Sequence, residues 1–463
     1  MERVELNDGS FISIAGLREQ YSQDIYQSEL FYSLCESFVR NRLVEDELTA
    51  KVMVNFYALK SVRARDACAL LYCLKSCQHQ IAKIFVFDDI ARLLSEHYPL
   101  LRSVEVVGIY SGCYVPAKYL ISCFSKVLAH KLFRLFTAPL VPSGRLVRGW
   151  VEVTEAMYKS RLRDSSLKIY PFAFGIVRQL RFLYRCKAAK YEVSLAGLPY
   201  SLFDFLKALL SLKRRDEALV LLELNAYASY SEELISGGVR EVYTSDEFEI
   251  AGVVLYGALR QAGVKVINTA HGVGFYCPYV NYSEFFGFTK HQAEFYTRRC
   301  PDLNALTRSD SNSALCAVEA AGSEELPPAI VLIDQNFEDF GCVAEADALI
   351  RTKSLLIKYS EERKVHFFVK VHPNSRISSA AWKMGKAVTD WVVVQDYQPV
   401  FVTINSTALF DVRNCGPVLV YGGEGFLPEI YFGSDVTKYT LNSLFSQLDK
   451  LMQVQSRVKG EQV

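Results

Sequence analysis

Residues 366–376 read HFFVKVHPNSR, and residues 391–423 read WVVVQDYQPVFVTINSTALFDVRNCGPVLVYGG. The apolar, β-rich runs at 366–371, 391–394, 401–404 and 418–421 each stop at a polar, proline or glycine cluster. Short runs that are apolar throughout predict strands buried on both faces, hence a parallel sheet covered by helices. Ligands of such sheets sit outside the carboxyl ends of the strands. His372-Pro373 and Asn405-Ser406-Thr407 fall at two of those ends, so this stretch is expected to floor a ligand site.

Further strand-like runs lie at 84–87, 104–110, 192–198, 218–226, 241–247 and 265–275, with helical spacing through much of 15–83. The alternation predicts an α/β fold. At 463 residues the chain exceeds one ordinary core. The polar, proline-ended segment 301–328 is the expected linker. We therefore expect an N-terminal Rossmann-like domain over 1–310, with a helical N-terminal extension and insertions, and a second Rossmann-like domain over 325–463. The second opens with the strand 329–333, runs into DQNFEDFG, and continues in a helix over 345–362. A terminal helix is expected over 441–458.

Half the residues are hydrophobic, 22% are charged and the formal net charge is +1, which excludes a disordered chain and gives no global case for nucleic acid. The 12 cysteines form no CxxC pair, and Cys68, Cys73, Cys77 and His79 lack the ligand spacing of a metal site. They read as buried free thiols in a reducing cytosol. MERVELNDGSF carries acids and no apolar core, so no signal peptide is expected, and no run is long enough to cross a bilayer. The segments 117–148 and 174–190 set Lys118, Lys126, Lys131, Arg134, Arg178, Arg181, Arg185, Lys187 and Lys190 among large apolar residues. They are either ordinary helices with a solvated basic face or amphipathic helices for an anionic surface.

Neither GxGxxG after a first strand nor GxxxxGK[ST] occurs, which argues against dinucleotide oxidoreductases and P-loop ATPases. Pro373 forces His372 into extended backbone, where an imidazole can donate to, or protonate, a phosphate. Asn405, Ser406 and Thr407 precede ALFDV, a helix start whose hydroxyls and first-turn amides would hold an anion. Together these residues favour a phosphate-containing ligand.

KVHPNSR followed by VTINSTALFDVRNCGPVLVYGG resembles the HP and S/T motifs of bacterial GT-B glycosyltransferases that use CMP-activated acidic sugars, the capsule-polysaccharide synthesis and sialyltransferase-like group. The resemblance covers about 329–426. It implies a CMP-sugar donor, and no separate cofactor is expected. The two Rossmann-like halves joined by a linker suggest a cleft between them. The lack of a DxD pair beside a nucleotide loop argues against an obligatory metal, with Asp88-Asp89 the one acidic pair left open. The resemblance further implies that His372, Ser406 and Thr407 contact the CMP phosphate, with Lys370, Pro373, Asn405, Gln335 and the glycine turn at Gly422 nearby. The chain departs from the group in reading VHP, in Ala408 after the NST run, and in Asp411 where Glu is common.

The resemblance also implies the partners, a nucleotide-sugar donor and a glycan or lipid-linked glycan acceptor. The cysteines and the N-terminus give the expected cytoplasmic setting, and the basic segments alone suggest peripheral inner-membrane contact. A carboxylate at Asp246, Glu247 or Asp88-Asp89 would deprotonate the acceptor. TAHGVG is similar to the His-Gly motif of teichoic-acid glycerophosphotransferases, which use CDP-alcohols on the same scaffold. In that alternative His271 is the base and His372 the acid or a phosphate ligand.

Overall fold

The computed structural model describes residues 2–21, 28–40, 46–59, 61, 63–77, 80–97, 104–109, 124–125, 128, 132, 144–148, 167–170, 176–188, 190, 193, 203, 206, 215–270, 272, 277–307, 326–335, 337, 343–372, 386–388, 396–412, 415–423, 426, 428–432 and 436–460. The chain forms two units, one of Met1–Arg18 and Ile25–Thr307, the other of Glu19–Asp24 and Arg308–Val463.

The first unit holds two sheets. Strands β1 (Arg3–Leu6), β2 (Phe11–Ser13), β3 (Ile81–Phe87) and β4 (Glu105–Ile109) pair in the order β2-β1-β3-β4, antiparallel except for β3 with β4. Strands β5 (Arg145–Arg148), β6 (Leu167–Tyr170), β7 (Glu241–Thr244), β8 (Lys265–Thr269), β9 (Glu284–Gly287) and β10 (Asn304–Thr307) form an all-parallel sheet. Its order is β10-β9-β8-β7-β5-β6, so the direction of strand addition reverses between β5 and β7.

Three expectations for this half need correction. The run 218–226 is part of the helix Arg215–Ser236, not a strand. Residues 218–222 read ALVLL, an apolar run with no polar break, which mimics a buried strand. Only further along do exposed Asn225, Ser229 and Glu232 alternate with buried Ala226, Tyr227 and Tyr230 at helical spacing. The start of the supposed linker is the edge strand β10, paired in parallel with β9. The N-terminal helices are not an extension. The helix Glu47–Leu59 packs on Arg215–Ser236 and Gly252–Gln261. Its buried Asn55 donates to the carbonyls of Ile250 (3.1 Å) and Tyr279 (2.9 Å), and accepts from the Tyr279 amide.

The second unit is one parallel sheet of β11 (Pro328–Ile333), β12 (His366–Lys370), β13 (Lys386–Val388), β14 (Gln398–Thr403), β15 (Val418–Tyr421) and β16 (Thr437–Tyr439). Its order, β13-β12-β11-β14-β15-β16, is that of the doubly wound dinucleotide-binding folds. The helix Val343–Arg363 joins β11 to β12, and Leu444–Gly460 closes the chain. Ile330 and Leu332 pack on one face of β11 with Leu356, Tyr359, Leu444 and Leu448. Ala329, Val331 and Ile333 pack on the other with Phe368, Phe401 and Val412. Both faces are therefore dry, which is why the strand reads as an unbroken apolar run. The expected strand at 391–394 lies outside the described residues.

Gly416 allows the turn into β15: a Cβ there would lie 2.3 Å from the Pro399 carbonyl oxygen. That close approach lets the Phe401 amide donate to the Pro417 carbonyl at 2.9 Å and fixes β14 against β15. Cys35, Cys68, Cys73, Cys186 and Cys277 are buried free thiols, and Cys300 is a partly buried one. Cys68 and Cys73 are thus free thiols as expected, while Cys415 is disulfide-bonded. Among the described residues no helix is long and apolar enough to cross a membrane.

Candidate functional site

In the second unit strand addition reverses between β11 and β14, and a ligand crevice is expected outside their carboxyl ends. The segment after β11 begins Asp334-Gln335, and that after β14 begins Ile404-Asn405-Ser406-Thr407. They are joined by one hydrogen bond, Gln335 Nε2 to the Asn405 carbonyl at 3.3 Å. Beside it, three side-chain oxygens are buried without any hydrogen-bond partner: Gln335 Oε1, Thr403 Oγ1 and Asn405 Oδ1. A buried polar atom left unpaired costs roughly 1–3 kcal/mol. These three belong to the two segments that flank this switch point.

His372 stands two residues past β12, half-buried, with Lys370 closing that strand. β11 lies between β12 and β14, so His372 and Ser406 are separated by two strand spacings, roughly 10 Å. Asp334 occupies the gap, its amide donating to the Lys370 carbonyl at 2.9 Å. Burial holds the His372 imidazole below its ordinary range, with Asp334 opposing and Lys370 reinforcing the shift. Lys353, on the helix after β11, is likewise held below the usual lysine range by burial, with Asp334 acting against it. Sequence reasoning missed Thr403, Asp334 and Lys353. The first two had a readable signal, as the polar residues where buried apolar runs end.

The NST run departs from expectation in one respect. The helix that follows, Leu409–Val412, has only four residues. The Leu409, Phe410 and Asp411 amides donate to the Ser406, Thr407 and Ala408 carbonyls, and the Ala408 amide reaches Ser406 Oγ at 3.4 Å. The amides from Ala408 to Asp411 are therefore engaged within the turn itself. Ser406 is buried and Thr407 half-buried. Gly422 lies just past β15, its amide bonded to the Tyr439 carbonyl at 2.8 Å, at the rim of the crevice. Pro373 lies outside the described residues.

The first unit has its own switch point, between β5 and β7. Arg148, the last residue of β5, is 2% exposed and ion-paired to Asp246 and, at 2.7 Å, to Glu249. Asp246 also accepts from Tyr256, from Tyr282 at 3.2 Å and from Asn268 at 3.4 Å. Tyr227 donates to Glu249, and the rings of Tyr227, Tyr230 and Tyr256 line the guanidinium. Burial pushes the Asp246 carboxyl up to about 6 against the pull of Arg148. Ser245 Oγ and Asn268 Oδ1 are buried there without partners. Glu247 is 1% exposed, and its carbonyl accepts from the Cys277 amide at 3.0 Å.

His271 lies outside the described residues. Its neighbour Gly272 is anchored by a 2.8 Å bond from Gln292 Nε2. Asp88 and Asp89 start the helix Asp88–His97, where carboxylates suit the positive helix end, and Asp89 pairs with Arg63. Arg148 carried no sequence signal, since RLVR is an ordinary short strand until Asp246 and Glu249 meet it. Among the described residues no three His, Cys, Asp or Glu side chains are placed to hold a metal ion.

No family model matches the chain. No curated protein matches it either. Among solved structures it matches the glycosyltransferase SnogD from Streptomyces nogalater at 11% identity and a TM-score of 0.34, over 67% of this chain and 90% of that one. A likeness that loose carries no argument about the reaction.

Proposed function

We propose that the chain is a GT-B glycosyltransferase that moves an acidic sugar from a CMP donor to a cell-surface glycan or lipid-linked glycan. The observation that carries this reading is the set of unpaired atoms at the β11/β14 switch point, Gln335 Oε1, Thr403 Oγ1 and Asn405 Oδ1. Amide oxygens accept and cannot bind a phosphate, so Gln335 and Asn405 receive the hydroxyls or amine of the nucleoside. The phosphate falls to Lys370 and His372 beyond β12, with the Ser406 and Thr407 hydroxyls supplied from the opposite side, beyond β14. There the cations stabilise the charge that develops as CMP leaves. Asp246 is enclosed by four side chains, so its part is to fix the loop after β7, and Glu247 or His271 activates the acceptor hydroxyl.

Calorimetric titration with CMP tests the donor half. Binding is expected, weakened at least about 10-fold by Asn405→Ala or His372→Ala, with unchanged melting. Because burial holds the His372 imidazole below its ordinary range, a phosphodiester such as a CMP-sugar should draw up a proton there and bind more tightly as pH falls. No binding at millimolar CMP removes the assignment. Mass spectrometry with CMP-sialate, CMP-Kdo and CDP-glycerol then separates sugar transfer from glycerophosphate transfer.

A further inference from the structure

We propose that the helix Ile176–Ala188 docks the protein on an anionic lipid surface. The inference is independent of the reaction assigned above. Val177, Leu180 and Tyr184 are 71%, 54% and 76% exposed. At about 100° per residue these three fall within roughly 60° of one another on the helix. The exposed Arg181 and Lys187 flank the stripe on either side. Cys186 projects from the opposite side and is fully buried, while the apolar stripe is left outward.

Scattered exposed apolar side chains are ordinary on a protein surface, but an aligned stripe with a basic border is not. The same composition recurs nearby: Phe124, Leu128 and Leu132, at four-residue spacing on helical backbone, are also exposed. Neither 117–148 nor 174–190 contains a single Asp or Glu, so both segments carry positive charge without internal compensation.

Charge chooses the occupant. A second copy of the chain seated on this stripe would set Arg181 and Lys187 against the same cations. A lipid surface bearing anionic headgroups receives the apolar side chains at the acyl boundary and pairs the flanking cations. The helix is about 20 Å long and carries charge along its exposed face, so it lies in the interface and does not span it.

The test is co-sedimentation of the full chain with phosphatidylcholine vesicles, with and without about one-third phosphatidylglycerol. The protein should pellet with the anionic vesicles, stay in the supernatant with neutral ones, and be released at high salt. Arg181→Glu with Lys187→Glu removes two cations and should weaken binding at least about 30-fold. Leu180→Asp with Tyr184→Asp should weaken it at least about 10-fold, with an unchanged melting temperature because both sites are exposed. Failure of the wild type to pellet with anionic vesicles overturns the proposal, as does equal pelleting of wild type and both double variants. So does a solution dimer that Leu180→Asp dissociates, which would assign the stripe to a second copy.

Discussion

Replacing Arg148 by Met keeps the length of the side chain and removes only the cation that faces Asp246 and Glu249. Both carboxylates then share a pocket in which Arg148 and Asp246 are 2% and 0% exposed and Glu249 is 13% exposed. Breaking a buried pair from one side typically costs about 3–5 kcal/mol. Protonation caps the cost. Bringing an ordinary aspartic acid to its neutral form at pH 7.5 takes about 5 kcal/mol, at 1.36 kcal/mol per unit. Burial already holds Asp246 at about 6, so about 3 kcal/mol of that is present in the native protein. Some 2 kcal/mol remains for Asp246, and the rest of the loss arises at Glu249 and in the ring contacts. We expect Arg148→Met to lower unfolding free energy by about 3–5 kcal/mol at pH 7.5 in urea titration. The loss should shrink toward pH 5.5, where neutralising a carboxyl is about 2.7 kcal/mol cheaper. Adding Asp246→Asn should recover part of it. A loss below about 1 kcal/mol, or one that does not change with pH, would refute the view that the cluster is an obligate charge pair.

Thr403→Val keeps shape and removes a buried hydroxyl that lacks a partner, so stability should hold or rise by about 1 kcal/mol while CMP affinity falls; lost stability with intact binding would contradict the ligand role of that oxygen. Asp66, almost fully buried beside Arg18, is pushed up to about 7, chiefly by burial. Its folded value lies above its unfolded one, so its contribution is complete at low pH and is lost as pH rises through about 7. Between pH 7.5 and 5 the first unit should gain about 2 kcal/mol from it, and Asp66→Asn should flatten that slope in urea titrations at the two pH values.

How far the sequence could be read depended on whether a residue's role is local. β11, β12, β14 and β15 were legible because burial on both faces leaves a run with no alternation, and their polar tips marked the crevice. The helix Arg215–Ser236 was misread as a strand over 218–226 because the unbroken apolar run 218–222 outweighed the helical alternation that follows it, with Asn225, Ser229 and Glu232 exposed. Asn405 and Gln335 were found by motif, yet their complementary function, two amide oxygens left unpaired, emerges only when β11 and β14 become neighbours. The spacing between His372 and Ser406 was not legible either, because nothing in the chain order says that β11 runs between them. Arg148 is the extreme case. Its partners lie 98 and 101 residues away, and neither side of the pair is unusual alone.

Asn55 sets a schedule for the ribosome. Its side chain bonds backbone groups 195 and 224 residues further along, at Ile250 and Tyr279. Synthesis at about 5–20 residues per second leaves the helix Glu47–Leu59 waiting on the order of 10–40 s before those partners exist. Through that interval its buried face, Val52, Met53, Val54, Phe56 and Tyr57, has no native cover from Gly252–Gln261. Until those partners emerge, the part of that face not covered by the helix Glu29–Arg40 is open to non-native contacts.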